Sequence, residues 1–98
     1  MNLKPSFKHE KLSLVILQAI GIRSTKEIEE TILGESYWEE IEKDEFGRSI
    51  FIATGFSDSM NPIVVAFIIE YDNPTIITLD AKRAGIRDIK QHFCKECK

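Results

Sequence analysis

The sequence predicts an α+β fold: two N-terminal helices, a small antiparallel sheet of three or four strands, and a closing C-terminal helix. Three observations predict it. Apolar residues recur at helical spacing up to Gly34, three apolar runs separated by turns fill residues 47–79, and a basic amphipathic stretch begins at Lys82.

The first helix is expected from about His9 to Ala19. Leu12, Val15, Ile16 and Ala19 fall on one face, and Gly21 is a suitable stop. The second opens at Ser24, whose hydroxyl suits a cap, with Glu27 three residues on to complete a capping box. Ile28 and Ile32, with Thr31 or Leu33, form its inner stripe, and Gly34 ends it. Residues 35–47 are acidic and hold the only tryptophan, Trp38; a short strand and a turn of helix both remain open there.

Gly47 leads into the first clear strand, Ser49 to Thr54. The loop 55–62 is rich in Ser, Asp, Asn and Pro. The strand Ile63 to Tyr71 is apolar on both faces at its start, which suits a central position. Asp72-Asn73-Pro74 turns the chain into a third strand, Thr75 to Leu79. The last helix is expected from Ala84 or Gly85 to Phe93, with Ile86, Ile89 and Phe93 as its packing face and Arg83, Arg87 and Lys90 beside it. Phe46, Phe51, Phe56, Phe67 and Trp38 are read as core, or in part as a groove for a partner.

A chain of 98 residues makes one domain, 1–98, in which 94–98 reads as a short tail. The longest apolar run, Ile63 to Ile69, is far below the ~20 residues that span a bilayer, so no membrane partner is expected. Lys4, Lys8 and Lys11 ahead of Leu12–Ile20 imitate a secretory signal, but Glu10 interrupts them and no small-residue cleavage site follows; the expectation is a cytoplasmic protein. Residues 1–47 carry six Lys/Arg against ten Asp/Glu, whereas 80–98 carry six against three. Any contact with nucleic acid is therefore local to the second half.

Gly21-Ile22-Arg23-Ser24 with Glu27-Ile28-Glu29-Glu30, the strand Gly47-Arg48 to Gly55, and Ile76-Ile77-Thr78-Leu79-Asp80-Ala81-Lys82-Arg83-Ala84 follow one another in an order that resembles the BrnT-type toxins of the RelE-like ribonuclease superfamily. The resemblance covers roughly residues 21–93. It implies a RelE-like fold, metal-independent cleavage of messenger RNA, and neutralisation by a small antitoxin protein. On it, the family's basic residues fall on Arg48, Lys82 and Arg83.

Such cleavage needs a base for the 2′-hydroxyl, cations for the charge on phosphorus and an acid for the leaving oxygen. Arg48, Lys82, Arg83 and His92 are the catalytic candidates, and Arg87 and Lys90 the RNA-binding ones. The plainer alternatives stay open: the cations form a solvated face paired with Asp80 and Asp88, and His92 bonds Asp88 one helical turn away. Glu70 and Tyr71 either face a cleft or sit at a surface turn. His92, Cys94 and Cys97 supply three ligand types but a closed zinc site needs four. No metal or cofactor is assigned, and an unused tail, a metal site and a disulfide all remain open for the cysteines. A homodimer also stays open. The sequence thus supports two readings: a toxin ribonuclease, or a non-enzymatic protein-binding module.

Overall fold

The computed structural model describes residues 5–71 and 74–85. They form one five-stranded mixed sheet with two short helices, in the chain order β1 (Ser6–Lys8), α1 (Leu14–Ala19), α2 (Thr25–Leu33), β2 (Ser36–Lys43), β3 (Ser49–Phe56), β4 (Pro62–Glu70) and β5 (Thr75–Arg83). The strands lie in the order β1-β5-β4-β3-β2; β1 runs parallel to β5 and every other pair is antiparallel.

This overturns the expected layout of two helices, a three- or four-stranded antiparallel sheet and a closing helix. A strand precedes the helices, because Ser6–Lys8 pair with Thr75–Ile77 and Ser6 N–H donates to Pro74 O at 3.0 Å. That leaves the first helix only six residues, started at Ser13, whose hydroxyl accepts from Ile16 N–H at 3.4 Å. The acidic stretch after Gly34 is a full edge strand, with a register shift between Glu40 and Glu42. β5 runs four residues past Leu79, so Lys82 and Arg83 belong to the sheet and not to an exit from it. The expected closing helix lies outside the described residues, apart from Ala84 and Gly85, which are not helical.

Alternation along the strands sorts the sheet into two faces. Ala53, Ile63, Val65, Phe67, Ile76 and Ala81 face the helices and join Leu17, Ile22, Ile28 and Ile32 in one buried core. Trp38 extends that core towards β2, its ring edge-on to Phe67 at 4.9 Å between centroids. Of the five aromatic residues expected in the core, Phe67 is buried and Phe51 and Phe56 are half-buried, but Trp38 is 40 % and Phe46 74 % exposed.

Two ties hold the helices on the sheet. Glu27, in the first turn of α2, is buried; its Oε2 accepts Arg23 N–H at 2.6 Å, and its Oε1 accepts the Ser59 and Ser57 hydroxyls at 2.9 and 3.1 Å. The capping box is thereby altered, since Glu27 reaches back to Arg23 rather than Ser24, and Ser24 makes no side-chain cap bond. At the other edge, Thr78 Oγ1 donates to Lys8 O at 3.1 Å and meets His9 Nδ1 at 2.7 Å, while His9 Nε2 faces Glu29 Oε2 of α2 at 2.8 Å.

Candidate functional site

The β2–β3 turn builds one wall of a cavity. Asp44 Oδ1 accepts the backbone N–H of Phe46 at 3.0 Å and of Arg48 at 2.8 Å, and Gly47 takes a left-handed φ of 80° that closes the turn. The same carboxylate holds the guanidinium, with Arg48 Nε donating to Asp44 Oδ2 at 2.8 Å. Burial alone would raise the Asp44 carboxyl, but the Arg48 and Phe46 N–H groups and the Arg48 charge outweigh it and hold the group below its ordinary value. Arg48 also donates through Nη1 to Glu70 Oε2 at 3.3 Å, and its guanidinium lies 5.3 Å from the centre of the Phe46 ring.

Beside Arg48 opens a cavity of about 480 Å³ lined by Lys43, Gly47, Arg48, Ser49, Ile69, Glu70 and Tyr71. Glu70 and Tyr71 thus face a cleft. Lys43 Nζ donates to Ser49 Oγ at 3.3 Å, and Tyr71 stands 73 % exposed at the rim.

Lys82 and Arg83 sit elsewhere. On β4, Glu70 contacts Arg48 whereas Val64 and Ile63 pair with Lys82 and Arg83. Six strand positions separate Glu70 from Val64, about 20 Å, so the sheet does not bring the three cations into one cleft. Lys82 and Arg83 also point to opposite faces. Arg83 lies over Gly21, where an added Cβ would come 2.8 Å from Arg83 Cδ and where φ is 93°; only glycine suits that junction between the helices. Arg87, Lys90, His92, Cys94 and Cys97 lie outside the described residues. Among the described residues no three His, Cys, Asp or Glu side chains gather as metal ligands. His9, the one described histidine, is engaged by Thr78 and Glu29.

The feature that sequence reasoning missed is α1. Its expected inner face was Leu12, Val15, Ile16 and Ala19, yet the helix buries only Leu17. Leu14, Val15, Ile16 and Ile20 are 49, 78, 63 and 36 % exposed. Every residue from Leu14 to Leu17 is apolar, so spacing could not say which of them turns inward; the Ser13 cap, which sets the helix start, was the usable signal. Asn61 Nδ2 donates to Gly21 O at 2.9 Å and so draws the β3–β4 loop, with its 68 % exposed Met60, towards the end of this helix.

Among the described residues, no helix is long and apolar enough to cross a membrane. No family model, curated protein or solved structure matches this chain.

Proposed function

We propose that this chain is a non-enzymatic protein-binding module that engages its partner through the exposed apolar face of α1. The observation that carries the reading is a six-residue helix with one buried side chain and three adjoining aliphatic residues in solvent, Leu14, Val15 and Ile16. Each is an ordinary core residue, and a contiguous exposed apolar patch marks a partner site far more often than scattered single residues do. The separation of Arg48 from Lys82 and Arg83 supports this reading over cleavage, because phosphoryl chemistry needs its cations converged on one phosphate.

The competing reading, an endoribonuclease neutralised by an antitoxin, draws on Lys82 and Arg83, both exposed at the end of β5. One experiment separates the two. Tagged wild type, a Val15→Glu/Ile16→Glu variant and a Lys82→Ala/Arg83→Ala variant are expressed in parallel, with co-purifying proteins and cellular RNA measured in each. The module reading expects a protein partner held by the wild type and by the β5 variant, lost from the α1 variant, with RNA intact throughout. RNA loss that only the β5 substitutions relieve would replace it with the ribonuclease.

A further inference from the structure

The cavity at Arg48 stands apart from the α1 surface, at the opposite end of the sheet, and its lining has a chemistry of its own. We propose that it binds a guanine base, presented by a free nucleotide or by single-stranded RNA.

Three observations converge on that class of ligand. The first is size and shape: about 480 Å³, open to solvent, within the range of ~300–1,000 Å³ typical of small-molecule sites. The second is the pair of flat groups in its lining. Tyr71 is 73 % exposed, and Arg48 adds a planar cation whose guanidinium also lies over the neighbouring Phe46 ring. Bases taken out of a helix stack on such aromatic and guanidinium planes.

The third observation selects the base. Glu70 lines the cavity, and among the described residues its carboxylate is bonded through Oε2 alone, at the long distance of 3.3 Å. An ionised carboxylate accepts and never donates, and each oxygen has two lone pairs. Guanine is the one common base whose Watson–Crick edge offers two adjacent donors, N1–H and the N2 amino group. Adenine and cytosine set an acceptor next to their amino donor, and uracil flanks its single N–H with carbonyls; each would turn an acceptor towards the carboxylate. Lys43 and the remaining guanidinium N–H groups of Arg48 are left for the ligand's phosphate. The mixed signs of the lining, which weigh against a site for phosphate alone, are what a whole guanine nucleotide requires.

The test is calorimetric titration of the full chain with the 5′-monophosphates of guanosine, adenosine, cytidine and uridine. A five-nucleotide RNA with one central guanine is titrated beside its adenine counterpart. Guanosine monophosphate or the guanine RNA should bind about tenfold or more tightly than its adenine equivalent. The tighter of the two guanine ligands identifies the source of the base. Glu70→Gln should abolish the preference, and Tyr71→Ala should weaken every nucleotide by about tenfold while leaving the preference in place. Tyr71 is exposed, so this second variant folds whatever Glu70→Gln does to the Arg48 contact. Absence of binding by any of the ligands, equal binding of guanine and adenine, or a preference that survives Glu70→Gln overturns the proposal.

Discussion

Glu27 Oε1 accepts the hydroxyl hydrogen of Ser57 across 30 positions of chain, at 3.1 Å, with both residues buried. The same oxygen accepts from Ser59, and Asn61 Nδ2 lies 3.4 Å away, so one carboxylate gathers the β3–β4 loop under the start of α2. Glu27→Ala would leave these donors and Arg23 N–H without their acceptor, at a cost of about 2–4 kcal/mol. Urea unfolding of the two proteins measures it. Burial by itself raises the Glu27 carboxyl, yet the Arg23 N–H and the Ser59, Ser57 and Asn61 side chains together hold it below 4.5. A carboxyl depressed in the folded state contributes stability above its unfolded value and loses it as the pH falls through the folded one. Stability should therefore drop as the pH goes below about 4.5, and the drop should be shallower in Glu27→Gln.

The register of α1 makes a sharper claim. Leu17→Ala removes a side chain that is 2 % exposed and joined to Ile22, Ile28 and Ile63 in the core, which should cost about 2–4 kcal/mol. Val15→Ser, two residues away and 78 % exposed, should change stability by no more than about 0.5 kcal/mol. Thermal melts of the two variants decide it. Equal costs would mean that Val15 is packed and would remove the basis for a partner surface on this helix.

The parts of the fold legible in the sequence are those where local pattern and tertiary context agree. β3 and β4 are apolar runs bounded by turn residues, and the stripe of α2 came out as read, with Thr31 and not Leu33 as its third member. β1 was not legible because three residues, Ser6–Lys8, carry no period; what makes them a strand is an edge of β5 lying some seventy positions on. β2 was obscured by its glutamates, which fit an edge strand that must keep other edges away. Glu70 and Tyr71 were legible as residues at a strand end. Their pairing with Arg48 was not, since it depends on two turns from different hairpins meeting at one end of the sheet.

Met60 is the only non-glycine among the described residues with positive φ, at 66°, while its side chain is 68 % exposed. A side chain there gains little contact and strains the backbone. Met60→Gly should raise stability by about 1 kcal/mol, read as a higher urea midpoint at unchanged slope. A fall would mean that the side chain makes contacts that its exposure does not suggest.

The same substitution at two buried threonines should act with opposite signs. Thr78 Oγ1 is bonded to Lys8 O and His9 Nδ1, so Thr78→Val leaves a carbonyl and a ring nitrogen unpaired and should cost about 1–3 kcal/mol. Thr54 is fully buried too, but its Oγ1 has no hydrogen-bond partner among the described residues, and the residue lies between Tyr37 and Val64 on the sheet face away from the helices. A hydroxyl in that position has lost its water and gained nothing in return. Thr54→Val keeps the shape and the β-branching, removes the unsatisfied oxygen, and should stabilise the protein by about 1 kcal/mol. Urea unfolding of both variants beside the parent tests the contrast. If Thr54→Val proves as costly as Thr78→Val, its hydroxyl has a bonding partner in solution, and the central strands are held by one more polar contact than the geometry gives them.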